Sequence, residues 1–237
     1  KATANSLVKV DSDTYALAYT GADNDGFIST FTISSDGTTI TEVDNLEHDT
    51  EFASDNHLVK VDSDTYALAY RGPGNDGFIS TFTIDSDGNI TAVNSLEHVE
   101  HGTEVIDDNH LVHVDSDTYA LAYSIQNNSG YISTFTISDD GSTITELDNL
   151  EHDTAMGSWW QGLVKVDSDT IAYAYHDVPL GYQGYIATFT IGDTSTDDST
   201  STESKKPSGA CGFDRDCTAP RITKHGISET PDGFSII

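Results

Sequence analysis

The residues best suited to chemistry in this chain are carboxylates that stand beside glycine in short turn sequences. Strings such as Asp23-Asn24-Asp25-Gly26 supply hard oxygen ligands next to a residue that permits a sharp turn, and calcium prefers such ligands. None of the strings completes the EF-hand spacing with its distal glutamate. Asp and Gly are also common turn formers, so a purely structural role stays open. The candidate calcium ligands are Asp23, Asp25, Asp76, Asp85, Asp87, Asp139 and Asp140.

Histidine next to glutamate is the second candidate for metal chemistry. The pairs that we take as equivalent are Glu47-His48, Glu97-His98 and Glu151-His152. A ring of such pairs around an axis could bind a transition metal, and the alternative is a structural histidine between repeated units. The position just before the leucine that begins each repeat is occupied by different residue types in the four units, so we predict no uniform role for it. Its occupants are Ser6, His57, His110 and Gly162.

The sequence carries no recognisable catalytic constellation. It contains no Gly-x-Ser-x-Gly elbow, no phosphate-binding glycine loop and no Cys/His nucleophile pair. A reacting centre needs different residues in different roles, whereas the repeated units of this chain are nearly interchangeable. Departures from repetition are Trp159-Trp160 and the segment Tyr173–Tyr185, whose aromatic residues could bind a carbohydrate or a partner, or wedge two units together. We therefore expect a protein that is not an enzyme.

The strong negative charge limits the possible partners. The chain has 40 acidic and 10 basic side chains and a formal net charge of −30. Such a surface repels phosphate backbones, which excludes nucleic acid as a partner, and no apolar stretch is long enough for a membrane helix. It attracts divalent cations and basic partners, or serves only to keep an exported protein soluble. We expect an extracellular or cell-surface location, and a chain that is a processed product or a fragment.

Two kinds of covalent modification are predicted. Cys211 and Cys217 are the only cysteines, and in an exported protein we expect them to form a local disulfide. Asn89 and Asn127 begin Asn-x-Ser/Thr sequences in predicted turns and are candidate glycosylation sites.

The elements that position these residues follow from an internal repeat. A thirteen-residue string that begins at Leu7 returns at Leu58, Leu111 and Leu163, at spacings of 51, 53 and 52 residues. Each unit divides into short strands separated by turns, and its second strand alternates Tyr and Leu with Ala. This alternation predicts a sheet with one bulky face and one small face.

A single sheet of this size buries too little surface to be stable alone, so the copies must pack face to face. We predict an all-β fold, a four-bladed β-propeller of four-stranded antiparallel blades with almost no helix and an extended C-terminal tail. An open β-solenoid is the alternative. The predicted segments are repeats at about 1–50, 51–103, 104–156 and 157–192, a Ser/Thr/Asp-rich linker at 193–208, and a Cys-containing tail at 209–237.

Three strings carry a resemblance to known sequences. They are Asp-Thr-Tyr-Ala-Leu-Ala-Tyr at 13–19, Asn-Asp-Gly-Phe-Ile-Ser-Thr-Phe-Thr-Ile at 24–33, and Ile-Thr-Glu-Val-Asp-Asn-Leu-Glu-His-Asp at 40–49. Residues 1–192 resemble a tandem repeat of about fifty residues found in exported surface proteins of archaea and bacteria. The resemblance implies a propeller-type fold and a surface location, and it transfers no activity and no functional residues.

The fourth unit lacks its fourth strand, and the tail contains sequence that resembles it. Arg221-Ile222-Thr223-Lys224 is similar to the start of that strand in the first unit, Thr39-Ile40-Thr41-Glu42. The tail could enter the sheet of a neighbouring subunit, complete its own blade, or begin a further domain. The residues that we expect in the assembly strand are Arg221, Ile222, Thr223, Ile227, Phe234, Ile236 and Ile237.

We favour donation of the strand to a neighbour, because head-to-tail contacts generate filaments when they do not close. The expected function is that of an extracellular structural protein, a homo-oligomer that forms a filament, tube or surface layer. The alternative is a monomeric adhesin or binding module that recognises glycans or proteins.

Overall fold

The computed structural model describes residues 2–93, 99–126, 129–154, 162–177, 183–192 and 221–228. In these ranges the chain is all β, and the only helical segments are two three-residue 3₁₀ turns at Ala22–Asn24 and Pro73–Asn75. No helix in the described part of the chain has the length and apolar character needed to cross a membrane.

The strands form four antiparallel blades. Blade 1 comprises β1 (Thr3–Lys9), β2 (Thr14–Thr20), β3 (Gly26–Ile33) and β4 (Ile40–Asp49). Blade 2 comprises β5 (Ser54–Lys60), β6 (Thr65–Arg71), β7 (Gly77–Ile84) and an outer strand in two pieces, β8 (Ile90–Ala92) and β9 (Val99–Gly102). Blade 3 comprises β10 (Ile106–Asp115), β11 (Thr118–Ile125), β12 (Gly130–Ile137) and β13 (Ile144–Asp153). Blade 4 comprises β14 (Gly162–Lys165), β15 (Thr170–Asp177), β16 (Gln183–Gly192) and β17 (Arg221–Ser228). The predicted fold class is confirmed: the described chain is all β and forms four antiparallel blades of the propeller type.

The blades stack through two different faces, which we call the bulky face and the small face. The bulky face carries the Tyr and Leu residues of a blade's second strand, and the small face carries its Ala residues. At the joint between blades 1 and 2, Tyr66 and Leu68 on the bulky face of blade 2 pack against Ala16 and Ala18 of blade 1. The small Ala side chains allow the two sheets to approach closely, so each joint forms a close-packed apolar core.

Three hydrophobic clusters occupy the three joints between consecutive blades. Among the described residues no such cluster joins blade 4 to blade 1. Leu7, on the bulky face of blade 1, is 62% exposed, whereas the equivalent Leu58 of blade 2 is 2% exposed. Val166, on the small face of blade 4, is 57% exposed, whereas the equivalent Val10 of blade 1 is 8% exposed. Within the described ranges, the bulky face of blade 1 and the small face of blade 4 are therefore not covered by another blade, and we call them the end faces of the stack.

The C-terminal strand completes blade 4. Ile222 of β17 pairs with Ile191 of β16, just as Ile40 pairs with Ile33 in blade 1. This register is the one that the likeness of residues 221–224 to residues 39–42 predicts. Of the three arrangements open from the sequence, the single chain shows self-completion for residues 221–228, which differs from the donation that we favoured. The free edge of β16 is the nearest strand that can satisfy the backbone groups of β17.

Candidate functional site

Buried histidines mark each joint, and the structure corrects one of the predicted positions. His48 packs edge-on against Tyr70 of blade 2, and His152 packs in the same way against Tyr173 of blade 4. In blade 2 the equivalent residue is His101, which contacts Tyr123, and not the predicted His98, which lies outside the described residues. The strand pairing explains the shift, because blade 2 carries extra residues within its outer strand, so the register resumes only at β9.

These histidines are held in the neutral form. Burial lowers the pKa of His48 to about 4 and that of His101 to about 3. Burial, followed by the nearby charge of Lys224, lowers the pKa of His152 to about 3. Within the described residues neither ring nitrogen of His48 has a hydrogen-bond partner. The geometry supports the structural alternative for these residues, in which the neutral ring packs between two blades against a tyrosine. We call such a ring a histidine post.

A position without a predicted role turns out to link the blades. Ser6 Oγ accepts a hydrogen bond from the backbone amide of Leu58 at 2.9 Å. His57 Nδ1 accepts one from the equivalent amide of Leu111 at 3.2 Å. The side chains differ, but in these two copies each offers an acceptor to the next blade. Gly162 has no side chain that could do so, so two of the four copies share this role and it is not uniform.

Threonine hydroxyls tie blade 1 to a turn of blade 2, and blade 2 to a turn of blade 3. Thr30 Oγ1 donates to the carbonyl of Gly88 at 2.6 Å, and Thr81 Oγ1 donates to the carbonyl of Gly141 at 2.7 Å. The equivalent hydroxyl of Thr134 is buried without a partner in the described part of the chain. In blade 4 the place of the accepting turn is taken by residues 193–220, which lie outside the described ranges.

The acidic turns hold themselves together through their own carboxylates. Asp85 Oδ1 accepts hydrogen bonds from the amides of Asp87 and Asn89, both at 2.9 Å. Asp140 Oδ1 accepts from the Ser138 hydroxyl at 2.7 Å and from the Ser142 amide at 3.0 Å. The Ser142 amide and the Ser138 hydroxyl lower the pKa of Asp140 to about 2. These bonds satisfy the carboxylates without a cation.

The remaining calcium candidates are spread over separate turns. Asp23 lies within one 3₁₀ turn and Asp25 directly follows it, Asp76 follows the other turn, and Asp87 and Asp139 are exposed. Asp23 has a φ of 55°, the left-handed region that Asp tolerates in turns. Nowhere in the described ranges do three or more His, Cys, Asp or Glu side chains come close enough together to hold a metal ion. The described geometry therefore supports the turn-forming role.

Arg71 breaks the repetition of the blades, which the sequence comparison of the units did not single out. Its guanidinium bonds to the Ser54 hydroxyl at 2.9 Å, lies 3.4 Å from Asp55, and forms an ion pair with Asp107 of blade 3. Burial, with the like charges of Asp55 and Asp107, raises the pKa of the adjacent Asp108 to about 7. Arg71 therefore joins blades 2 and 3 electrostatically, and burial with the neighbouring carboxylates outweighs its effect on the pKa of Asp108.

The C-terminal strand contacts blade 3 as well as β16. The amide of Ile222 donates to Asp148 Oδ2 at 3.0 Å, as the amide of Ile90 donates to Asp44 Oδ2 at 2.8 Å. Lys224 Nζ donates to the carbonyl of His152 at 2.8 Å. Ile222 is only 8% exposed. This strand is thus bound on its edge by β16 and on its face by blade 3.

The remaining predicted sites divide between residues outside the described ranges and residues within them. Cys211, Cys217, Asn127, Phe234, Ile236, Ile237 and Trp159-Trp160 lie outside the described residues. Arg221, Thr223 and Ile227 lie in β17. Asn89 is exposed, and its side-chain amide donates to Asp85 Oδ2 at 2.8 Å. The predicted disulfide and glycosylation sites therefore stay predictions.

Comparisons with known proteins agree with the fold. No protein-family model matches the sequence, and no curated protein is similar to it. A solved protein structure from Lactobacillus plantarum is similar with a TM-score of 0.59 and 15% identity over 95% of this chain and 55% of its own. A hypothetical selenium-binding protein from Sulfolobus tokodaii has a TM-score of 0.55 and 10% identity over 94% of this chain and 57% of its own.

This chain therefore spans little more than half the length of the solved structures that it resembles. At such low identity the likeness concerns architecture alone, and it carries no activity to this chain. The chain shares its fold with β-propeller-like proteins.

Proposed function

We propose that this chain is an extracellular structural protein whose subunits join into a filament, tube or surface layer. In this assembly β17 of one subunit pairs with the edge of β16 in a neighbour, in place of the neighbour's own β17. The resemblance of residues 1–192 to repeats of exported surface proteins supports the location, as does the formal charge of −30. The near-identity of the blades supports a structural role over catalysis.

The observation that carries this proposal is the length of the connection to β17. Six residues join β3 to β4 and β12 to β13, whereas the 28 residues 193–220 join β16 to β17. A fully extended segment of this length reaches roughly 90 Å, far enough to enter another subunit. The hydrogen bonds of β17 to β16 and to Asp148 would be the same in either subunit.

Whether β17 completes its own blade or enters a neighbour's blade therefore depends mainly on the protein concentration. The connection of 28 residues holds β17 near its own blade at an effective concentration of about 1 mM, so the dilute chain completes itself. In a crowded surface array the local concentration of neighbouring blades exceeds this value, and exchange becomes favourable. We expect the exchanged fraction to rise with protein concentration.

A crosslinking experiment separates the two states. Thr190 and Thr223 are direct cross-strand partners, so cysteines at both positions can form a disulfide. Two chains are mixed at concentrations up to about 1 mM, one with Thr190→Cys and a size tag, the other with Thr223→Cys. Both carry serine in place of Cys211 and Cys217. The proposal predicts a mixed disulfide of the two chains whose yield rises with concentration.

The matched control removes residues 195–216, which leaves a six-residue connection like those of blades 1 and 3. This variant should complete its own blade and give no mixed disulfide, and electron microscopy should show no assemblies. If the full-length pair gives no mixed disulfide at any concentration, strand donation is wrong.

A further inference from the structure

The two end faces of the blade stack are made of matching parts. The bulky face of blade 1 has the same residue types that are buried at the three internal joints. Its members are Leu7, Tyr15, Leu17, Tyr19, Phe31 and Ile40. The small face of blade 4 has the types that cover such a face. Its members are Val164, Val166, Ala172, Ala174, Ile186 and Thr188.

Exposed apolar residues concentrate on these two faces. The described part of the chain has five large hydrophobic residues that are strongly exposed, and four of them belong to the end faces. On blade 1 they are Leu7 at 62% and Ile40 at 65%, and on blade 4 they are Val164 at 59% and Val166 at 57%. Apolar surface concentrated in this way marks a contact site more often than random exposure.

The polar partners of a joint are also present at the ends. A Cβ placed on Gly141 would lie 3.0 Å from Thr81 across a joint, whereas a Cβ on the equivalent Gly37 of blade 1 would meet nothing within 4 Å. Thr188 of blade 4 occupies the place of Thr81, whose hydroxyl bonds the Gly141 carbonyl. An end-to-end contact would therefore bring Thr188 onto the carbonyl of Gly37.

A lysine completes the pattern. Lys60 of blade 2 donates to the carbonyl of Val10 in blade 1 at 3.0 Å and lies over the ring of Tyr66. Its equivalent in blade 1 is Lys9, which is exposed, and the equivalent of Val10 in blade 4 is the exposed Val166. The ends thus carry the hydrogen-bonding groups of a joint together with its apolar surface.

We propose that a second copy of this chain covers both end faces, so that blade 4 of each copy stacks on blade 1 of the other. The two copies then close a single ring of eight blades through two new joints of the same kind as the three within each chain. A contact that repeats twice in a closed pair is more stable than either joint alone.

This pairing does not rest on strand donation. The joint uses the faces of blades 1 and 4, whereas β17 lies at the outer edge of blade 4. Each copy carries a formal charge of −30, so the copies repel one another at low ionic strength. Pairing should therefore strengthen as salt is added, which is the direction expected of apolar contact between like-charged molecules.

The test is the mass of the full chain in solution, measured by analytical ultracentrifugation at about 0.5 M salt, where the charges are screened. The variants are Leu7→Lys on the bulky end face and Val164→Lys on the small end face. Thr91→Lys, at an exposed position of β8, is the control with the same added charge. Because all three positions are exposed, each variant should keep the β-sheet circular dichroism of the native chain.

We expect the native chain and Thr91→Lys to have twice the mass of a single chain. For Leu7→Lys and Val164→Lys we expect the dissociation constant to rise about tenfold or more. A native chain that stays monomeric, or end-face variants that pair as tightly as Thr91→Lys, would overturn the proposal. A ladder of larger masses would overturn the closed ring. The Thr190/Thr223 crosslink reports strand donation separately, because the lysine variants leave β16 and β17 intact.

Discussion

Leu58 and Leu7 begin the same thirteen-residue string, yet one is 2% exposed and the other 62% exposed. Leu58 lies between blades 1 and 2, and Leu7 lies on an end face. Their strands, registers and neighbours within the blade are equivalent. The comparison teaches that the repeat sequence specifies the blade, whereas burial depends on whether another blade covers it. A joint and an end face therefore present the same kind of surface, which is covered by another blade in the joint and exposed at the end.

The largest expected difference between the two states comes from truncating this leucine. Leu58→Ala removes a fully packed side chain from a joint and should lower the free energy of unfolding by about 2–5 kcal/mol. Leu7→Ala should change it by less than about 1 kcal/mol in the single chain, because that side chain is largely exposed. Urea denaturation at low protein concentration measures both. Equal losses would contradict the exposure of Leu7 on an open end face.

A methyl group added beside a histidine post should have the next largest effect. A Cβ on Gly26 would lie 2.5 Å from the His48 ring, whereas a Cβ on Gly162 would meet nothing within 4 Å. Gly26→Ala should therefore destabilise the fold by about 1–3 kcal/mol, and Gly162→Ala should not. Thermal unfolding of the two variants compares them directly. Similar melting temperatures would show that the ring of His48 moves aside without cost.

The histidine post also makes the joint sensitive to acid. Burial lowers the pKa of His48 from its ordinary value of 6.5 to about 4, so the unfolded chain binds more protons between these values. Stability is then lost as the pH falls through this window, at about 1.4 kcal/mol per pH unit for this group. His48→Phe should remove that part of the pH dependence. The measurement is the free energy of unfolding at pH 7 and 5 for both chains, and an unchanged difference would contradict the neutral, buried ring.

The smallest effect should come from the threonine that bonds a turn. Thr81→Val removes the hydroxyl that donates to the Gly141 carbonyl and should cost about 1 kcal/mol, the usual net contribution of one hydrogen bond. Thr134→Val is the matched control, since that hydroxyl has no partner in the described residues, and it should be neutral or stabilising. Chemical denaturation distinguishes them. A larger loss for Thr134→Val would show that its hydroxyl has a partner.

Much of the fold was predictable because the repeat shows both where the blades recur along the chain and which side chains share one face of a strand. The alternation of Tyr and Leu with Ala in residues 15–19 predicted a bulky and a small face, and each joint is built from these two faces. The match of residues 221–224 to residues 39–42 predicted the register of β17. Local patterns suffice for strands and faces, because side-chain alternation is a property of the strand itself.

The misassigned histidine had a signal that could have corrected it. Glu100-His101 is followed by Gly-Thr-Glu, and Glu47-His48 is followed by Asp-Thr-Glu, so the shared Thr-Glu would have selected His101 over His98. The open ends and the ion pairs of Arg71 had no such signal. They depend on which blade lies beside which, and a repeat sequence is the same whether its last joint forms within one chain or between two.

A disulfide across the proposed contact tests the central claim most directly. A Cβ added to Gly141 would lie 3.0 Å from the Cβ of Thr81, slightly closer than in most disulfides. Thr81→Cys with Gly141→Cys should therefore crosslink within one chain after a small shift of the turn and serve as the positive control, because Gly141 and Gly37 have nearly the same positive φ, 69° and 70°. Thr188→Cys with Gly37→Cys places the same pair at the two ends, again with serine at positions 211 and 217. The account predicts a crosslinked pair of chains under oxidising conditions. A crosslink within a single chain, or none while the control forms, would contradict it.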